Sequence, residues 1–149
     1  MRDMRNFFLP VFLSASVFSG AAYAALPTEV EDIRTGTDLA AACTMLVEHD
    51  LTDEGKLAAK ACSDFLGVMV QKVYVATPAG QPTMFSRIGP KQDTNLCFRL
   101  PEKLSFVNFA KLILSYGKAH PELDDRPAFE TGAWVLSTNF PCPDVAEPN

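Results

Sequence analysis

Apolar residues recur three or four residues apart in four separate segments of the chain, which is the spacing of one face of an amphipathic helix. The four segments are residues 39–47, 57–69, 106–114 and 129–140. The second continues weakly through 73–75, where helix and strand remain equally open. Four stripes of this period predict an all-α fold.

Polar residues and prolines mark the ends of these segments. Thr37 is the expected N-cap of the first helix, and the sequence from Thr52 resembles the next helix start. Ser105 is the expected cap of the third helix, and Pro127 suits the first position of the fourth. His49 and His120 fall where the first and third helices should end. The elements therefore predict two helical hairpins.

The stretch 77–95 between the hairpins lacks a clear helical or strand period. It contains Pro78, Gly80, Pro82, Gly89 and Pro90, and a segment of this length without structure is typically functional or disordered. The sequence therefore predicts a long connecting loop, which is either a flexible linker or a binding segment.

The N-terminus has the pattern of a cleavable secretory signal peptide. Arg2 and Arg5 precede an apolar run over 7–18, and Ala22 and Ala24 stand at the positions that signal peptidase prefers. The run is short and interrupted for a membrane anchor. We expect cleavage after Ala24, no membrane association afterwards, and one helical domain over 25–149 with its core at about 35–143.

Composition narrows the class of protein. The 149 residues carry 18 acidic and 13 basic side chains, so a generic nucleic-acid binder is excluded. Cleavage would leave 125 residues with a net charge of −6. An acidic protein of this size associates faster with a basic partner.

Four cysteines in an exported chain are candidates for disulfides. In an antiparallel hairpin, Cys43 and Cys62 would lie at similar heights on the first two helices. Cys97 precedes the third helix and Cys142 follows the fourth. We therefore predict the pairs Cys43–Cys62 and Cys97–Cys142. A metal site with the histidines is the alternative, but the spacings match no zinc pattern.

No set of residues for catalysis or cofactor binding is evident. His49 and His120 are the candidate histidine bases, and each is better explained by its place at a helix end. The sequence has no phosphate-binding loop, no zinc-protease motif and no dinucleotide fingerprint. We expect a protein without enzymatic activity, cofactor or metal.

A rigid scaffold with a long loop is how protein inhibitors present their contacts. The predicted loop contains apolar side chains and one arginine, which are residue types that commonly anchor interfaces. The expected partner-binding residues are Met84, Phe85, Arg87 and Ile88.

The second half of the chain resembles the Rap/Tai immunity family. The resemblance rests on Cys97-Phe98-Arg99-Leu100-Pro101, then His120-Pro121-Glu122, then Asn139-Phe140-Pro141-Cys142-Pro143, with Cys43 and the segment 62–67 upstream. It covers roughly 35–143. Members are periplasmic proteins that protect bacteria from amidase effectors of type VI secretion.

The resemblance implies a helical, disulfide-bearing domain, often a homodimer, that binds a peptidoglycan amidase and occludes its active site. Two other classes stay open. A chaperone-like envelope protein would bind many unfolded clients, whereas an immunity protein would bind one partner at a fixed ratio. An enzyme would lose its activity when His49 or His120 is replaced.

Overall fold

The computed structural model describes residues 25–77, 81–87 and 94–143. Within them lie four α-helices, α1 (Gly36–Glu48), α2 (Asp53–Ala76), α3 (Phe106–Ala119) and α4 (Ala128–Asn139), and two strands, β1 (Thr83–Arg87) and β2 (Thr94–Phe98). The all-α prediction is confirmed. The predicted signal peptide, residues 1–24, lies outside the described residues.

Local sequence explains where the helices begin. Ser105 caps α3 and Thr52 caps α2, as predicted, because each side-chain oxygen accepts a hydrogen bond from a backbone N–H three residues on. The prediction of Thr37 as the cap of α1 is wrong. Thr35 is the cap, and it forms a capping box with Asp38, which accepts from the Thr35 backbone N–H at 2.9 Å.

The first hairpin packs as the cysteines suggest. Helices α1 and α2 lie against each other, and Cys43 is bonded to Cys62 with 5.1 Å between their Cα atoms. Both cysteines are fully buried. Residues 73–75, which the sequence leaves open, belong to α2, so this helix is 24 residues or about 36 Å long.

The second pair of helices is less independent than two separate hairpins would require. Helix α1 contacts α2, α3 and α4, and α3 lies chiefly against α1. Helix α4 is buried on almost every side, beyond the single stripe that the sequence predicts. A Cβ on its Gly132 would lie only 2.5 Å from the Met69 sulfur on α2. Glycine therefore leaves room for the end of the Met69 side chain against α4.

The core is one cluster shared by the four helices and β2. Its largest fully buried side chains are Leu39, Leu66, Met69, Phe98, Phe109, Ile113, Val135 and Leu136.

The region predicted as a loop, 77–95, contains β1 and the start of β2, and these two strands pair antiparallel. Thr83 pairs with Phe98, Met84 with Cys97 and Phe85 with Leu96. Side chains alternate between the core and solvent along β2, where Leu96 and Phe98 are buried. That alternation is the strand signal, but nearby prolines and glycines mask it in the sequence. We call β1 and β2 the hairpin strands.

The chain after α4 adds to this sheet. The Arg99 N–H donates to the Phe140 carbonyl at 3.0 Å, and Phe98 forms an isolated bridge with Pro141. Cys97 is bonded to Cys142 beside this bridge. The structure thus contains the second predicted pair, but β-pairing rather than two helix ends brings these cysteines together.

The start of α1 is joined to the segment before α4. Backbone N–H groups of Gly36 and Thr37 donate to the carbonyls of Arg126 and Asp124 at 2.9 and 3.0 Å, and the Ala128 N–H donates to Arg34. We call residues 34–37 with 123–128 the α1 corner. It closes the bundle through backbone hydrogen bonds.

Candidate functional site

A groove of about 190 Å³ lies between the last turns of α2 and the hairpin strands. Its described lining is apolar except for Lys72 and Thr83, and we call it the hairpin groove. The lining residues are Lys72, Val73, Ala76, Thr83, Met84, Phe85, Phe98 and Phe129.

The groove is held on both sides by packed elements. Val73, Thr83 and Phe98 are buried and belong to α2, β1 and β2 respectively. The Thr83 and Thr77 hydroxyls lie 3.1 Å apart, which ties the start of β1 to the end of α2. The groove therefore does not depend on the ordering of a free loop.

Two of the predicted contact residues meet in this groove. Met84 is 62% exposed, whereas Phe85 is half-buried. The Phe85 ring packs on Phe129 with 5.8 Å between centroids and a tilt of 32°, a favourable aromatic geometry. Arg87 ends β1, and Ile88 lies outside the described residues.

Lys72 also lies at the groove and was not predicted from the sequence as a contact residue. Its ammonium nitrogen is 5.8 Å from the Phe129 ring centroid, within range of a cation–π contact. The lysine is exposed and has no carboxylate partner among the described residues. Its place beside the groove depends on the helical conformation of 73–75, which the sequence left open.

The local charge differs in sign from that of the whole protein. From Phe65 to the end of α2 and in both hairpin strands, the charged residues are Lys72 and Arg87, both basic. Glu130 on α4 is buried and pairs with Arg126 at 3.3 Å. Among the described residues that line the groove, the one charged side chain, Lys72, is therefore basic, although the whole protein is acidic.

Much of the acidic excess lies around the α1 corner. Residues 29–38 and 122–130 contain eight acidic and two basic side chains. One of them, Asp38, is slightly desolvated, which raises its pKa. Hydrogen bonds from Thr35 and Arg34 outweigh this and leave the pKa below its ordinary value.

Neither histidine takes part in a catalytic arrangement among the described residues. His49 ends α1 in a left-handed conformation with φ of 54°. His120 stacks on Tyr116, and its Nδ1 lies 2.9 Å from a Glu122 carboxylate oxygen. That hydrogen bond lowers the pKa of Glu122. The described residues contain no group of three or more side chains suited to a metal ion.

A second cavity of about 290 Å³ lies beside the α1 corner, between α1 and the last turns of α3. It contains none of the predicted contact residues. Its polar lining is Thr44, Lys118, Asp124 and Thr131.

The described residues thus present an apolar groove with one exposed lysine on a helical scaffold. Comparison with protein families gives the class directly: residues 35–142 match the family of Rap1a immunity proteins. The chain belongs to this family, as the sequence resemblance predicts. No curated protein and no solved structure matches it.

Proposed function

We propose that this protein is a periplasmic immunity protein that binds a peptidoglycan amidase effector of type VI secretion and occludes its active site. The family match over 35–142 carries the proposal, because it spans α1 to α4 and both disulfides. The effector class and the mode of inhibition come from the family resemblance.

Export to the periplasm is part of the proposal. Residues 1–24 have the pattern of a signal peptide, and two disulfides suit an oxidising compartment. Among the described helices, none is both long and apolar enough to span a bilayer.

The hairpin groove is the proposed contact surface. Met84 offers an exposed apolar side chain, and Phe85 is already ordered against Phe129. A surface that is ordered before binding loses little conformational entropy on association. We extend the proposed contact to Arg87 and Ile88, which continue the chain from the groove.

The test is a binding and inhibition assay with the protein of the neighbouring gene. The oxidised immunity protein should bind that product at a fixed ratio and abolish its cleavage of peptidoglycan stems. Light scattering on the free protein reports whether it is a homodimer, as the family resemblance implies. Absence of both binding and inhibition would contradict the proposed function.

A matched pair of variants locates the contact. Met84→Asp should weaken binding by roughly tenfold or more, as expected for an interface anchor. Leu51→Asp is the control, since Leu51 is 81% exposed and lies in the turn at the far end of α2. Phe85→Ala combined with Arg87→Ala should also weaken binding in a folded protein. Unchanged affinity of both groove variants would remove this surface from the proposal.

A chaperone-like role is the second candidate, because several large apolar side chains are exposed. Val75 is 83% exposed and Leu57 is 52% exposed on α2. A chaperone of this kind would suppress aggregation of unrelated unfolded proteins. Suppression of this aggregation by the wild-type protein, and its loss in the double variant Val75→Ser with Leu57→Ser, would favour this candidate.

A further inference from the structure

We propose that the hairpin groove receives one apolar side chain of its protein partner together with a neighbouring carboxylate, which pairs with Lys72. This inference deepens the proposed function and rests on it for the identity of the partner. It concerns the chemistry of the bound segment, which the family match does not specify.

The size of the groove sets the size of its occupant. Its volume of about 190 Å³ is below the roughly 300–1,000 Å³ of typical small-molecule sites. The aromatic rings of Phe85 and Phe129 line it, and the buried side chains of Val73 and Phe98 close it. A cavity of this kind suits a single large apolar side chain.

The charge at the groove specifies the second feature. Lys72 lies at an apolar surface, where a carboxylate is more strongly attracted than in bulk water. Lys72 forms no ion pair within the described ranges, and the Glu130 carboxylate, which follows Phe129 in α4, is buried and contacts Arg126 at 3.3 Å.

This local charge predicts the opposite of what the net charge suggests. A net charge of −5 favours a basic partner, and that preference governs long-range approach. The contact itself is decided by the groups within a few ångströms, where the groove is positive. The partner should therefore be basic as a whole and present an acidic and apolar segment to the groove.

A pair of small probes tests the groove without the effector. 3-Phenylpropanoate and phenethylamine share a phenyl ring and differ in the sign of their charge. In NMR titrations of the full chain, the carboxylate should shift signals of Val73, Ala76 and Phe85 and bind about tenfold more tightly than the amine, a difference that one ion pair can supply.

Variants of Lys72 supply the control for charge. Lys72→Met should abolish the preference for the carboxylate, and Lys72→Glu should reverse it. Lys60→Glu makes the same charge change on α2 about 18 Å away and should leave the preference intact. Equal binding of the two probes to the wild-type protein, or no shift at the groove, would overturn the inference.

The effector then tests the same groove in its natural context. Lys72→Glu should weaken effector binding by about tenfold or more, and Lys60→Glu by less than about threefold. Ala76→Trp should block the groove, whereas Gln71→Trp, at an exposed position outside its lining, should not. Wild-type affinity of both groove variants would overturn the inference while leaving the immunity function intact. An effector that binds no form of the protein would instead contradict the proposed function.

Discussion

The α1 corner and the hairpin groove are held together by different interactions and differ in how many side chains they leave exposed. The corner joins distant parts of the chain by backbone hydrogen bonds, for example from Gly36 to Arg126, with little room between the two segments. The groove side is joined by the Cys97–Cys142 disulfide and keeps Met84 exposed. The corner therefore favours stability, and the groove leaves side chains available for contact.

This difference separates two kinds of variant. Substitutions at the corner should lower the free energy of unfolding and leave the affinity of the folded protein unchanged. Substitutions of exposed groove residues, such as Met84→Asp, should lower the affinity for the effector and leave the free energy of unfolding unchanged. The disulfide beside the groove is the exception, because it contributes to both.

The largest expected effect is the loss of that disulfide. The bridge closes a loop of 45 residues, so Cys97→Ala with Cys142→Ala should lower the free energy of unfolding by about 4 kcal/mol. Urea unfolding monitored by circular dichroism measures this. Effector binding should also weaken, because the double variant loses the covalent tie between β2 and the end of α4.

Limited reduction supplies the control for this experiment. Cys43 and Cys62 are fully buried, whereas Cys97 and Cys142 are partly exposed. A mild dithiol followed by alkylation should label Cys97 and Cys142 first. Peptide mapping that joins Cys43 to either of these two residues in the oxidised protein would contradict the pairing.

Gly36 should be the most sensitive single position of the α1 corner. A Cβ there would lie 2.3 Å from the Leu123 carbonyl oxygen, so Gly36→Ala forces the backbone apart and should cost about 2 kcal/mol. Gly117→Ala is the matched control, because a Cβ at this helical position has no atom within 4 Å. The control should gain up to about 1 kcal/mol. Equal effects of the two variants would show that the corner is not tightly packed.

A smaller effect is expected from the cap of α1. Thr35→Ala removes the side-chain acceptor of the Asp38 N–H and should cost about 1 kcal/mol. Thr37→Val keeps the Thr35 cap but loses the hydroxyl bond to Asp124, so its cost should be less. A larger loss of stability in Thr37→Val than in Thr35→Ala would indicate that Thr37 is the cap, as the sequence first indicates.

The smallest effect is a dependence on pH. Because the pKa of Asp38 is lower in the folded state, its contribution is fully present above the ordinary carboxylate pKa of about 4. This stabilising contribution is lost as the pH falls from the ordinary carboxylate pKa through the lowered pKa of Asp38. The stability gap between wild type and Asp38→Asn should therefore narrow below about pH 4. A gap that is constant from neutral to acidic pH would contradict this.

The helices were predictable from the sequence because their signals are local. Ser105 and Thr52 precede regular apolar stripes, and short polar caps of this kind act within one turn. The wrong cap prediction at Thr37 has a physical explanation as well. The cap is Thr35, which has capping-box spacing to Asp38. The Thr37 hydroxyl instead bonds to the carbonyl of Asp124, which is 87 residues away and could not be foreseen from local sequence.

The groove was predictable only in part, because its two walls come from separate regions. Met84 and Phe85 stand out as apolar residues among prolines and glycines. Lys72 and Phe129 do not, since their meeting depends on how α2, α4 and the hairpin strands pack. The alternation of Leu96 and Phe98 was the local signal for β2, but five residues are a short sample of a two-residue period.

The closure at the α1 corner also has a consequence for the order in which we expect the elements to fold. Helices α1 and α2 are neighbours in the chain, and their disulfide spans only 19 residues, so this pair can form early. The bridge between Thr35 and Pro127 must wait for nearly the whole domain, and contacts of such long range form slowly. Until α4 enters, the apolar faces that it covers stay open to solvent. In a chain that folds from its N-terminus, we expect these uncovered apolar faces to favour aggregation until the last helix packs against them.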